Sequence, residues 1–379
     1  MKKKIAIIGA SYLQLPLVVK AKEMGLETIC FAWSDGAVAQ GTCDKFYPIS
    51  IIEKEKILAI CRTERIDAVT SIASDAAVPT VAYIAAHLHL VGNSPESAYR
   101  STNKYAMRKA LCISSSRCPK FVTVQNARQA VERTAALRFP LIVKPCDRSG
   151  SAGVTKVETA EELLSASETA LALAFEHEAI IEEFITGVEV SVETISWQGT
   201  HHILAITDKV TSGAPHFVEL AHHQPSRHAA ETQTEIKRQT QVALTTLGIN
   251  YGASHAEFLI TDEGHVFVTE VGARMGGDFI GSDLVPLSSG YDYLKGVIDV
   301  ACGTFSPPYV RSRRCTGVWF FSRMTMPALE YIQKRRQYPE IVRAEVSSLE
   351  LPELTKSADR SGYFIYQSDK RMELAIGVL

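Results

Sequence analysis

From Lys4 to Ala86 short β-rich runs alternate with helical patterns, and few folds accommodate that alternation. Lys4–Ile8, Glu27–Phe31 and Asp67–Thr70 read as strands. Leu13–Met24, Glu53–Thr63 and Ala76–Ala86 read as the helices between or after them, with Gly25 where a helix C-cap glycine belongs. Parallel strands need a crossover connection, usually a helix, so the segment predicts a small doubly wound βαβ domain with ligands at the carboxyl ends of its strands. The first βα turn, Gly9-Ala10-Ser11-Tyr12-Leu13-Gln14, keeps one glycine of the dinucleotide pattern G-x-G-x-x-G; Ser11 and Gln14 stand where the others would be. A tight turn, rather than a nicotinamide site, is expected.

The full length, 379 residues, allows two or three domains at ~150 residues each. The first boundary falls at Gly92-Asn93-Ser94-Pro95, giving 1–92, 93–185 and 186–379 as the expected units. Past it the pattern predicts a helix through Leu111, a helix over Asn126–Leu137, a strand at Pro140–Lys144, a helix over Ala160–Ala174 and a strand at Ala179–Glu183. Strands at Glu189–Trp197 and His202–Val210, a loop at Gly213–Ser226 and a long helix to Leu247 follow. A hairpin of Ala253–Ile260 and His265–Val271 turns at Thr261–Gly264. Toward the end Cys315–Ser322 and Gly362–Tyr366 read as strands and Met326–Arg336 as a helix.

Composition narrows the function. Lys+Arg 40 against Asp+Glu 42 leaves a net charge of −2, without the basic footprint of a nucleic-acid binder. No run approaches the ~18 apolar residues of a membrane span, and the apolar run behind Met1-Lys2-Lys3-Lys4 is too short for a signal segment. The eight cysteines contain no C-x-x-C pair, which argues against a zinc site or a disulfide framework and suits a cytoplasmic protein with reduced thiols.

Four segments carry chemistry. Lys144 ends a strand that runs into the small, glycine-containing loop Ser149-Gly150-Ser151-Ala152-Gly153, whose backbone N–H groups can approach phosphate oxygens. Lys104 begins a helix, where anions are favoured. Glu182-Glu183-Phe184-Ile185 and Glu189 flank a turn, with acids able to accept hydrogen bonds from an adenine amine or ribose hydroxyls. His255-Ala256-Glu257 and Glu270-Val271-Gly272-Ala273-Arg274 lie on the two hairpin strands, and the turn sets Glu257 opposite Glu270. Facing carboxylates repel unless a cation lies between them, and hard oxygen ligands of this kind suit Mg²⁺ shared with phosphates. Arg274 close behind suits a phosphoryl group or developing oxyanion.

In this order the set resembles the ATP-grasp superfamily over nearly the whole chain. The resemblance implies a parallel βαβ pre-ATP-grasp domain followed by two α+β lobes that enclose ATP, with Mg²⁺, or Mn²⁺ in its place, as cofactor. It assigns Lys104 and Lys144 to phosphates, Ser149, Gly150, Ser151 and Gly153 to a flap, Glu182, Glu183, Phe184 and Ile185 to adenine, Glu189 to ribose, Glu257 and Glu270 to metal, and Arg274 to catalysis. Gly252-x-x-His255-x-Glu257 and Arg274-Met275-Gly276-Gly277-Asp278 are similar to amino-acid and dipeptide ligases, and make His255, His222, Gly276 and Gly277 substrate-side candidates. Many members have Glu-x-Asn-x-Arg; here Gly272 replaces the asparagine and offers no side-chain oxygen. His216, His222 and His223 read as polar substrate contacts of a flexible loop, or as simply exposed, rather than as zinc ligands. The implied activity is ATP-dependent joining of a small-molecule carboxylate to an amine by a possible homodimer. The alternatives are a biotin-carboxylase-like, carbamoyl-phosphate-type or purine-pathway enzyme and, more remotely, an ATP-binding regulator without turnover.

Overall fold

Strand Ile5-Ala6-Ile7-Ile8 is apolar at every position because both of its faces are covered. In the computed structural model, which describes residues 2–150, 152–214, 216–309 and 314–375, four parallel strands form the first sheet. They are β1 (Lys4–Ile8), β2 (Glu27–Ala32), β3 (Lys45–Pro48) and β4 (Ala68–Thr70), in the order β3-β2-β1-β4. Ala6 and Ile8 pack towards α2 (Lys54–Glu64) and α3 (Val78–Leu88), against Ile57, Leu58 and Ile84. Ile5 and Ile7 face the other way, onto Leu17 and Val18 of α1 (Leu15–Glu23) and onto a helix from late in the chain, Tyr293–Ala301. Gly25 ends α1 at φ +80°, a conformation that favours glycine. Strand β3 went unrecognised in the sequence because Lys45-Phe46-Tyr47-Pro48 ends in proline; it is an edge strand, where proline is tolerated.

The expected single helix ending at Leu111 is two, α4 (Pro95–Thr102) and α5 (Lys104–Leu111). Asn103 is extended (φ −109°, ψ 115°) and its side chain accepts from Ala106 N (3.0 Å), so it breaks one helix and caps the next. A second, antiparallel sheet has the order β5-β8-β6-β7, from β5 (Phe121–Val124), β6 (Leu141–Pro145), β7 (Thr155–Val157) and β8 (Ala179–Glu183). The helix expected over 126–137 shrinks to a 3₁₀ turn and α6 (Ala130–Arg133), whereas α7 (Glu162–Leu173) matches its pattern.

The third sheet is eight-stranded and antiparallel. It comprises β9 (Val188–Trp197), β10 (Thr200–Thr211), β11 (Glu219–Gln224), β12 (Gly252–Ile260), β13 (Val266–Gly272), β14 (Cys315–Phe321), β15 (Ile341–Val346) and β16 (Gly362–Ser368), in the order β13-β12-β9-β10-β11-β14-β16-β15. Between β11 and β12 lies α8 (Ala230–Leu247), as its pattern predicts. Further on are α9 (Val285–Ser289), α10 (Tyr293–Ala301) and α11 (Ala328–Gln333). The segment read as the loop 213–226 therefore contains a strand, β11, inserted between β10 and β14 and buried along most of its length. Its polar sequence, Glu-Leu-Ala-His-His-Gln, hides a core strand. The architecture is the expected mixture of a parallel sheet and antiparallel α+β lobes. Among the described residues no helix is long and apolar enough to cross a membrane.

Candidate active site

The turn after β1 is closed by its own side chain. Gln14 Oε1 accepts from Ser11 N (3.1 Å) and Ser11 Oγ (2.7 Å), and Gln14 Nε2 donates to Ile72 O (2.8 Å). These donors are satisfied within the protein, in line with the tight turn expected there.

Lys144 and Glu182 lie on adjacent antiparallel strands, β6 and β8, in a register that pairs Ile142 with Glu182. Lys144 Nζ donates to Glu182 Oε2 (2.6 Å), and Arg108 of α5 donates through Nε to Glu182 Oε1 (2.5 Å) and through Nη2 to Thr269 O (2.6 Å). Burial alone would raise the Glu182 carboxyl, but Arg108 and Lys144 outweigh it and hold it at about 2. Burial pulls the Lys144 ammonium down, and only part of this is restored by Glu182 because Arg108 and Lys104 repel it. Two buried cations share one carboxylate, so this cluster has positive charge to spare for an anion. Both oxygens of Glu182 are engaged, so the carboxylate organises the cations around it. Arg108 escaped notice in the sequence, although its i,i+4 spacing from Lys104 on one helix was a usable signal.

Lys104 bridges two regions: its Nζ donates to Arg148 O (2.6 Å), just before the flap, and lies 3.5 Å from Glu270 Oε1. In the flap Gly150 and Gly153 adopt φ +66° and +74°, and a Cβ on Gly153 would come within 2.8 Å of Leu173. Ser149 precedes them on the exposed face, and Ser151 lies outside the described residues. Glu183 Oε1 accepts from Arg138 N (3.1 Å), and Phe184 N donates to Pro140 O (3.0 Å). Phe184 and Ile185 line a cleft with Thr186, Glu263, His265 and Phe267.

The hairpin register is as expected, with Glu257 across from Glu270. Their charges, however, are met separately. Lys209, 4% exposed at its side chain, lies 3.0 Å from Glu257, 3.6 Å from Glu219 and in contact with Glu189, while Glu270 pairs with Lys104. Lys209 is pushed down by burial but raised well above its ordinary value by these carboxylates. Glu189 is thus ion-paired with Lys209. Lys209 was also missed, although a lysine in a central strand requires partners. Among the described residues no group of three or more His, Cys, Asp or Glu has a metal-holding arrangement.

His255 lies between two carboxylates, with Nδ1 2.5 Å from Glu193 Oε1 and Nε2 3.2 Å from Glu257 Oε1. Burial opposes its protonation, but Glu193 and Glu257 raise it to about 9. Its stabilising charge is therefore complete below its ordinary value near 6.5 and is lost as pH rises through about 9. The melting temperature of His255→Gln should lie below wild type at pH 6.5 and converge with it by pH 9.5; a constant gap would remove the imidazolium. Glu193 Oε2 also accepts from Gly276 N (3.1 Å), and a Cβ at 276 would meet Glu193 Oε1 at 2.4 Å, so only glycine fits. Gly277 abuts Ala73, where an added Cβ would lie at 3.8 Å. Arg274 donates to both oxygens of Asp75 (2.8 and 2.9 Å), a residue that no sequence pattern singled out.

The histidines behave differently from loop contacts. His222 and His223 are buried on opposite faces of β11: His222 is 3.8 Å from Asp278 and packs near Phe320, while His223 bonds Tyr366 OH (2.9 Å). His216 is exposed, so the three do not converge. Burial keeps both strand histidines below the ordinary value.

Residues 137–283 match the ATP-grasp domain. The chain is 26% identical to alanine–anticapsin ligase of Bacillus subtilis over 276 residues, covering 65% of this chain and 56% of that protein. Its fold is similar to L-amino acid ligase from Bacillus licheniformis (TM-score 0.82, 24% identity, 97% of this chain and 94% of that one). It is also similar to phosphoribosylglycinamide synthetase from Anaerococcus prevotii (TM-score 0.77, 20% identity, 98% and 95%). The chain spans about half the length of the curated relatives it matches, or less.

Proposed function

Because the chain carries an ATP-grasp domain on the ATP-grasp fold, we propose that it is an ATP-dependent carboxylate–amine ligase, with an amino acid among its substrates. The observation that carries this reading is the convergence of cations and carboxylates from separate elements: the buried Lys104 and Arg108 from α5, Lys144 from β6, Glu257 and Glu270 from the hairpin, and Arg274 behind it. A substrate carboxylate oxygen attacks the γ-phosphorus of ATP and the bond to the β-phosphate oxygen breaks, giving an acyl phosphate and ADP. The amine then attacks the acyl carbon, and phosphate leaves as the amine loses a proton. Such chemistry rests on positioning and charge neutralisation, without a protein nucleophile.

The surplus positive charge around Lys144 and Arg108 fits an anionic nucleotide, and Lys104, tied to Arg148 O at the flap, couples the loop to it. Glu257 and Glu270, about a quarter exposed, present hard oxygens that fit Mg²⁺ and would hold it. Bound there, Mg²⁺ supplies neutralisation of phosphate charge. Arg274 faces the developing charge on the phosphoryl group, and flap closure over Gly150 and Gly153 excludes water from the reactive intermediate.

A matrix of amino acids and small carboxylates, with bicarbonate included, assayed for ADP release tests the reading. Release that requires both an acid and an amine supports it. Release with bicarbonate alone would favour the carboxylating enzymes, and ATP binding without release in any combination would favour a regulator. With a productive pair, Lys144→Ala should raise the ATP concentration for half-maximal rate about ten-fold or more, since a charge-assisted hydrogen bond contributes ~1.5–3 kcal/mol. An unchanged ATP dependence would take Lys144 out of the phosphate site.

A further inference from the structure

We propose that Asp75, on the loop that follows β4 of the first sheet, is the positioning residue for Arg274, and that position 272 is glycine to admit this contact. The proposal rests on the reading of Arg274 as a phosphoryl-binding group. Asp75 and Arg274 lie 199 residues apart in sequence and meet in a side-on bidentate pair: Nε donates to Oδ1 (2.8 Å) and Nη2 to Oδ2 (2.9 Å). Among the described residues Nη1 has only a 3.5 Å contact, with Met275 O, and is the donor left for an incoming anion. Bidentate pairing fixes the plane of a guanidinium as well as its position.

The surroundings keep the pair in register. Ala73, held at φ +54°, donates its N–H to Met275 O (3.2 Å), so the loop is bonded to the segment that carries Arg274. The loop is anchored in turn by Gln14 Nε2 to Ile72 O (2.8 Å) and Ser71 Oγ to Ile8 O (2.6 Å). Gly272 has no Cβ, and one placed there would lie 3.0 Å from Asp75 Oδ1 and 3.3 Å from both Cζ and Nε of Arg274. An asparagine at 272 would push into the ion pair. The carboxylate lies against the space that a side chain at 272 would use, and the two positions are linked: a Cβ at 272 requires the Asp75–Arg274 pair to shift by a few tenths of an ångström. Burial would raise the Asp75 carboxyl, but Arg274, Lys104 and His255 keep it lowered and ionised.

The test uses the full chain and the substrate pair with the fastest ADP release. Asp75→Asn should lower kcat about ten- to a hundred-fold with KM for ATP unchanged within two-fold, as expected when an orienting partner of an active group is lost. Asp75→Glu should recover part of this, and Gly272→Asn should reproduce the kcat loss. In the Arg274→Ala background, Asp75→Asn should cost nothing more, because a residue acting through Arg274 has no effect without it. An unchanged kcat in Asp75→Asn, or losses in the double variant that multiply, would overturn the proposal. If Asp75→Asn does not fold, Gly272→Asn and Asp75→Glu decide by the same kcat criterion. If wild type releases no ADP with any pair, the functional reading fails by itself. Binding of Mg·ADP with and without aluminium fluoride then tests the pair: Asp75→Asn should lose only the fluoride-dependent gain, and retention of that gain would reject the positioning role.

Discussion

Glu270→Gln is expected to lower substrate-dependent ADP release by about a thousand-fold or more while leaving the fold intact. Glu270 is 28% exposed and its one ion pair among the described residues, with Lys104, is long at 3.5 Å, so little of the packing depends on its charge. Lys104 is buried but keeps its shorter bond to Arg148 O (2.6 Å), so loss of this long, half-exposed pair should move the melting temperature by only a few degrees. The amide preserves size but not the anionic oxygen that a hard divalent cation needs. Titration of ATP binding against Mg²⁺ supplies a second readout: the Mg²⁺ dependence should weaken, and binding of metal-free ATP should stay the same. Wild-type turnover in this variant would eliminate the metal role of the hairpin.

Glu182→Gln is expected to act on stability instead, by ~3–5 kcal/mol, because it leaves two buried cations without their shared anion. Arg108, fully buried, would keep Thr269 O, a long contact with Met107 Sδ and a weakened amide contact, and Lys144 would lose the carboxylate it pairs with among the described residues. Urea unfolding should show the midpoint shift. The Glu182 carboxyl is held at about 2, below its ordinary value near 4.3, so its contribution is complete above that ordinary value and disappears as pH falls toward about 2. The depressed Lys144 ammonium works against the carboxylate and reduces the net gain of the cluster. Wild-type stability should therefore fall between pH 4.5 and 2 more steeply than that of Glu182→Gln. Equal slopes, or an unmoved midpoint, would show that the cluster does not stabilise the fold.

What could be read in the chain before its structure follows a physical divide. Strands β1, β2 and β4, helices α7 and α8 and the β12–β13 hairpin declare themselves through local periodicity and turn residues, and the pairing of Glu257 with Glu270 followed from the turn alone. Strand β11 did not, because its neighbours β10 and β14 come from either side in sequence and their burial of His222 and His223 leaves no mark on local pattern. The same holds for the site. Lys104, Lys144 and the two hairpin glutamates stood out by position on their elements. The groups that meet the charges of Glu182, Glu257, His255 and Arg274, namely Arg108, Lys209, Glu193 and Asp75, come from elsewhere in the chain, and these pairings are set by tertiary packing. Glu182 shows the cost of this: its type and place were noticed, but the two cations it pairs with were not read as its partners.

The cover that α10 provides for the first sheet bears on how the chain can be cut and recombined. Val297, Ile298 and Ala301 of that helix lie against the layer of Ile5, Ile7, Leu17 and Val18. A fragment ending near residue 92 would expose this layer to water and invite aggregation. The leading βαβ segment is thus no interchangeable cassette. Any exchange of it between related chains has to carry α10 along, and also replaces Ala73 and Asp75, the loop residues that meet Met275 and Arg274.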